Sequence, residues 1–184
     1  MSDSAAKHRA KQTVRNLIFS LLVSVGLMAA MVLGLPRDDS NRLNPVDYLQ
    51  IAQEAESSVG KQILAPAIPS DWWSNGARLE NELDVQSWYL GFVTPDNQFI
   101  GMNQAFESNP SWLALTLQGN WQDGEVSVEG KTWQIWPTLT PKNPPGTKEY
   151  AMVYEYGNSA VVLFGTADKA DFLKLAAEIS KQLD

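Results

Sequence analysis

The 184-residue chain has no cysteine and a single histidine. The first absence excludes a disulfide framework, a thiolate metal site, a cysteine nucleophile and the lipidated cysteine of a lipoprotein. The one histidine, His8, sits in a basic N-terminal stretch. The rest of the chain therefore lacks the commonest general base and the commonest metal ligands. No Gly-x-x-x-x-Gly-Lys phosphate loop occurs, no alternating Asp/Asn run ends in the Glu of a calcium loop, and no internal repeat is found. Positive charge is also scarce. Set aside Lys7, Arg9, Lys11, Arg15 and Asp3, and 10 Lys+Arg face 20 Asp+Glu, a net charge of −10. With no basic stripe to offset that field, nucleic acid is excluded as a partner.

What the chain does have is one long apolar run. Leu17 to Leu35 is 19 residues without a charge, flanked by Arg15 and Arg37. As a helix it spans roughly 28 Å, close to the ~30 Å of bilayer hydrocarbon. Four basic residues precede it, whereas Arg37 and Arg42 behind it are diluted by Asp38, Asp39 and Asp47. The positive-inside rule then places the N-terminus in the cytoplasm. A cleaved secretory signal shares the basic start, but its core is shorter, about 7 to 15 residues, and here no Ala-x-Ala follows and Pro36 occupies the cleavage region. The expected organisation is a basic cytoplasmic tail over residues 1–16, a transmembrane helix over 17–35 embedded in the lipid bilayer, a polar tether over 36–44 and one extracytoplasmic domain over 45–184, on the cell membrane.

Within that domain Asn44 is the expected N-cap and Pro45 the first position of a helix on which Tyr48, Ala52, Ala55 and Val59 share a face, ending at Gly60. Segments 85–94 and 98–106, rich in Val, Trp, Tyr, Phe and Ile, flank Pro95-Asp96-Asn97 and predict a hairpin. Two more hairpins are predicted at 125–129 with 131–136, around Glu129-Gly130, and at 149–156 with 159–165, around Gly157-Asn158. Ala160 to Phe164 is apolar on both faces, which marks a central strand. Asn109-Pro110 opens one or two helical turns through Trp112. A last helix follows Thr166 or Asp168, with Phe172, Ala176, Ile179 and Leu183 on one face. Pro141 to Gly146 is the one long loop. The fold class is α+β, a mainly antiparallel sheet of about six to seven strands with packed helices.

Chemistry-bearing patterns are few. Ser58-Val59-Gly60-Lys61 matches the Ser-x-x-Lys of penicillin-binding enzymes, but it lies at the end of a helix rather than the start, and Lys131-Thr132 is followed by Trp133 where that family has Gly. The acids fall mostly in turns and caps, so no carboxylate pair stands out for a glycosidase. Seven tryptophans are the compositional outlier. Trp88 with Leu90 and Phe92, and Trp133 with Ile135, suit the core face of a strand. Trp72, Trp73, Trp121 and Trp136 are the candidates for an aromatic platform that stacks sugar faces, because they stand beside turn residues or in neighbouring pairs of which at least one member should face away from the core. No cofactor or metal ligand set is expected.

The basic start and single apolar helix ending near Pro36-Arg37, Asn44-Pro45-Val46-Asp47, Ile68-Pro69 with Trp72, the run Trp88 to Pro95, Gln104, Trp112, Gly124, Val128-Glu129-Gly130 with Trp133, and the run Val161 to Ala167 together resemble the DUF4245 family of actinobacterial membrane proteins. The resemblance implies one N-terminal membrane helix, an exported domain and no assigned reaction. Three functional readings stay open: a non-catalytic binding or interaction module that meets a cell-envelope protein or glycan, an envelope hydrolase using carboxylates or a Ser/Lys pair, and an aromatic glycan-binding platform.

Overall fold

The computed structural model describes residues 3–34, 45–117, 120–138 and 148–183, and the side chains of the first helix over 14–31. The tether, the 141–146 loop, Leu35 and Asn44 lie outside the described residues. The chain divides into two compact units, Met1–Arg42 and Leu43–Asp184.

The first unit is one helix, α1 (Asp3–Gly34). It begins well before Leu17 because nothing in the basic segment breaks a helix. Val14–Met31, at a mean hydropathy of 1.8, is long and apolar enough to cross a membrane, and every residue in it is exposed.

Among the described residues of the second unit, α2 (Tyr48–Val59) leads to seven strands and two further helices. Pro45 precedes the helix rather than opening it, and the cap is Asp47, whose carboxylate accepts the Gln50 N–H at 3.2 Å. Gly60, at φ +65°, terminates α2 in the left-handed conformation that glycine adopts without strain. The strands are β1 (Trp73–Glu82), β2 (Val85–Val93), β3 (Phe99–Ala105), β4 (Glu125–Val128), β5 (Lys131–Pro137), β6 (Tyr150–Tyr156) and β7 (Ser159–Gly165). They form one antiparallel sheet in the order β1-β2-β3-β7-β6-β5-β4. The apolar β7 occupies its centre.

The strand that composition does not announce is β1. Its sequence, Trp-Ser-Asn-Gly-Ala-Arg-Leu-Glu-Asn-Glu, has no β-branched residue, and it holds an edge position where polar residues are tolerated. Its return is the two-residue turn Leu83-Asp84, both at positive φ, the geometry that matches strand twist but normally selects Asn or Gly.

Period-two alternation gives the sheet two faces. On the first, Trp88, Leu90, Phe92, Ile100, Met102, Met152 and Leu163 are fully buried beneath α2 and α4 (Lys169–Ser180). Tyr48 of α2 meets Phe92 edge to face at 5.4 Å, Phe172 of α4 meets Tyr150 at 5.0 Å, and Trp133 Nε1 donates to Ser180 Oγ at 3.0 Å.

The connector between α2 and β1 has no strand partner, so side chains satisfy its backbone. Gln104 Oε1 accepts the Leu64 N–H at 2.9 Å while its Nε2 donates to the Gln62 carbonyl at 2.8 Å. Gln182 does the same for both backbone groups of Ala65, at 3.1 and 3.2 Å. Trp88 Nε1 donates to the Leu64 carbonyl at 3.1 Å and the Tyr48 hydroxyl to Pro66 at 2.8 Å.

Candidate functional site

Among the described residues the second sheet face is only partly covered. Its cover is α3 (Pro110–Thr116), capped by Asn109, whose Oδ1 accepts the Trp112 N–H at 2.8 Å. Trp112 and Leu117 pack there on Val85, Ala105, Ala160 and Val162. Beyond α3 the face is left as a recess of about 330 Å³.

Cross-strand register builds its walls. Arg78 of β1 stands opposite Tyr89 of β2, and its guanidinium lies 3.9 Å above the Tyr89 ring while pairing with Glu80 at 2.6 Å. Glu82 continues the same side of β1. Tyr89 carries a phenol pKa pushed up, chiefly by burial, with the Arg78 charge opposing and the Glu80 charge assisting. Phe99 and Phe164 meet edge to face at 6.1 Å on the floor, and Lys148, just before β6, holds its ammonium 5.2 Å from the Phe164 ring centre. Gly91 and Gly101 stand opposite each other across β2 and β3. A Cβ at Gly101 would come within 2.6 Å of the Phe164 ring, so glycine is what lets that ring lie against the sheet. Between the walls is Asn103 of β3, half-buried, with its carboxamide oxygen fully buried and without a hydrogen-bond partner among the described residues.

A second groove, about 440 Å³, runs between Ala67-Ile68-Pro69 with Trp72 on one side and Lys174, Leu175, Ala177 and Glu178 of α4 on the other. It is the larger of the two. Its walls are mainly apolar, with a charged rim and no converging polar groups, so it offers less chemistry than the recess.

The four candidate platform tryptophans do not converge. Trp72 is 7% exposed in the wall of the α4 groove, and Trp73 is half-buried at the start of β1. Trp136 is half-buried on β5, with its Nε1 donating to Gln134 at 3.2 Å. Trp121 is 55% exposed, its N–H held by the Pro137 carbonyl at 3.3 Å. Strands β1 and β5 are five inter-strand steps apart, roughly 24 Å. Trp121 and Trp136 thus share one region and Trp72 with Trp73 another. Ser58 is exposed, while Lys61 is paired with Glu107 at 3.1 Å and lies over the Phe106 ring at 5.5 Å. Among the described residues no group of three or more His, Cys, Asp or Glu is placed to hold a metal.

Sequence reasoning did not single out Arg78, Tyr89, Asn103 or Phe164. They come from four different strands, and only the register brings them together. The one signal available beforehand was glycine within apolar runs, at Gly91 and Gly101, which marks a strand where something approaches closely.

No curated protein and no solved structure matches the chain. The sequence model described as "Protein of unknown function (DUF4245)" matches residues 9–179, nearly the whole length, and the chain belongs to that family.

Proposed function

We propose that the protein is a non-catalytic binding or interaction module of the cell envelope, held at the membrane by α1 with its N-terminus cytoplasmic and its acidic domain outside, and that its ligand enters the recess beyond α3. The observation that carries this is the recess itself: polar, aromatic and charged groups from four strands converge where the described residues leave a sheet face open. Large concave sites with a few convergent polar groups are where ligands bind. A hydrolase gains less support, because the Ser58/Lys61 pattern has its lysine engaged with Glu107 and its serine on an open surface. An aromatic platform keeps one supporting observation, the exposed Trp121 beside the strand that carries Trp136.

The test is photocrosslinking from the full chain in its own membranes, with a photoreactive residue at Leu115 in the recess, or at Leu49 or Leu173 on α2 and α4, all of which are exposed. An identified envelope component joined from position 115 and not from the others is expected. Equal labelling from all three positions, or none from 115, refutes the recess. Orientation is checked by protease added outside intact cells, which should remove the domain and spare the first residues.

A further inference from the structure

We propose that β1 is the seam of a homodimer: two copies of this chain pair their β1 strands antiparallel, with Leu79 on the two-fold axis, to make one continuous sheet. The backbone register carries this. The Phe106 N–H donates to the Gln86 carbonyl at 3.1 Å, so Gln86 faces β3, and Asn81 opposite it turns its own N–H and C=O outward. By alternation Leu79 and Ala77 do the same. Among the described residues no hydrogen bond reaches these outward groups. The free edge is bounded at one end by the bulge at Ser74/Gly76 and by Val46, whose N–H donates to the Ser74 carbonyl at 2.9 Å, and at the other by the Leu83-Asp84 turn. Between them stands neither proline nor lysine, the residues that commonly keep an edge from pairing.

Charge complementarity selects a second copy as the occupant. An antiparallel copy centred on Leu79 sets Leu79 against itself and Ala77 against Asn81, all residues whose backbone groups face out. Arg78 then stands directly opposite Glu80 of the second copy, and by symmetry Glu80 opposite Arg78 of that copy, on the face where each Arg78 also holds its own Glu80 at 2.6 Å. That pair is already compensated within one chain, so the alternating charges fix the register while the backbone bonds supply the attachment. The neighbouring registers are worse. Centring on Arg78 or Glu80 opposes like charges at the axis, centring on Asn81 sets Glu80 against Glu82, and centring on Ala77 leaves Arg78 facing Gly76. On the other face Leu79, half-buried against the core, gains the Leu79 of the second copy. The far edge of the sheet, β4, has only 4 residues, so a β1-to-β4 contact that would propagate copies into a filament is poorly matched, and the pairing closes as a dimer. The seam is short, and it rests on the anchoring by α1 proposed above, which confines both copies to one membrane and raises their effective concentration.

The unaltered chain has no cysteine, so single cysteines report on the seam cleanly. Full-length chains carrying Leu79→Cys, Ala77→Cys or Asn81→Cys are oxidised with copper phenanthroline in their own membranes. Leu79→Cys is expected to give a disulfide-linked dimer, because residues paired at such a site have Cα atoms about 5.5 Å apart, within disulfide range. Ala77→Cys or Asn81→Cys alone should link about tenfold more slowly, since each lies about 14 Å from its own copy along the seam, whereas the two variants co-expressed should link to each other. Asn81 is exposed, and that mixed pair keeps the test decisive if Leu79→Cys fails to fold. Adding Arg78→Glu to Leu79→Cys should slow linking about fivefold, and adding Glu80→Arg as well should restore it. Equal linking from all three single variants, as for random encounters, overturns the dimer. So does linking of Leu79→Cys to a different protein, or no linking from any variant while the chain stays in the membrane fraction. A chain found outside the membrane fraction that still links through Leu79→Cys refutes the anchor and supports the dimer.

Discussion

Gln104 is the residue through which the buried connector depends on the sheet, and replacing it by leucine tests that dependence. The side chain is 3% exposed and hydrogen-bonds the Leu64 N–H and the Gln62 carbonyl. Each contributes about 1 kcal/mol net, and the Leu64 N–H, on a residue with no exposure, is then left buried without an acceptor at a further cost of about 1–3 kcal/mol. Leucine restores apolar contact of similar volume, so the expected loss is about 2–4 kcal/mol, or roughly 10 °C in Tm for a domain of this size. Gln62→Ala is the control, because it keeps both backbone groups and should cost under about 1 kcal/mol. Urea unfolding followed by tryptophan fluorescence measures both. A Gln104→Leu variant within about 0.5 kcal/mol of the unaltered domain would show that the connector is held by its apolar contacts alone, and the argument from side-chain pairing would fall.

Trp133→Ala should cost about 3–5 kcal/mol, as a fully buried indole bonded to Ser180, whereas Trp121→Ala should change stability by less than about 0.5 kcal/mol and, if the platform reading holds, lower retention on cell-wall material. Gly101→Ala pushes on the Phe164 ring and should cost about 1–3 kcal/mol; Gly165→Ala should cost more in the same melt, because its Cβ would fall on the Phe99 carbonyl oxygen, which cannot rotate away. Burial raises the phenol pKa of Tyr48, Tyr89, Tyr150 and Tyr156, so the folded state favours the neutral phenol. That contribution is whole below about pH 10 and is lost as pH rises through the folded values, so the urea midpoint should fall above about pH 10, and a midpoint rising there would refute it.

Hairpins and helices were legible in the sequence because their signals are local. Glu129-Gly130 and Gly157-Asn158 sit in two-residue turns with positive φ at Glu129, Gly130 and Gly157, and apolar alternation fixes the facing of β2 and β3. The apolar run at β7 marks a central strand for a physical reason, since only a strand covered on both faces is apolar at every position. What was not legible depends on partners distant in sequence. β1 forms because β2 offers it an edge, and its own residues do not favour a strand. The cap at Asp47 rather than Asn44 is a choice among closely spaced capping residues that pattern cannot make. The tryptophan count drew the sequence reading towards Trp72, yet that ring is 7% exposed, because composition records how many rings there are and not which face of the fold they meet. The recess is the extreme case, since none of its residues is distinctive alone.

Among the described residues the two faces of the sheet are filled differently. Large apolar side chains fill the first face at nearly every inward position, under two helices of 12 residues each. The second face carries small residues in its middle, Gly91 and Gly101 with Ala105, Ala151 and Ala160 beside them, and the one helix described on it has 7 residues, about 10 Å, against a sheet about 29 Å wide. Covering the rest would need only bulkier side chains at a few of those positions. Instead the glycine at 101 lets the Phe164 ring lie flat, the alanines keep α3 close, and a carboxamide oxygen stays unpaired where a leucine would have closed the floor. A fold selected for stability alone would place an apolar residue at Asn103, since a buried acceptor without a donor costs stability that leucine would restore. Asn103→Leu should therefore leave the domain as stable as before or more so, and a urea midpoint lowered by the change would refute that reading of the buried oxygen.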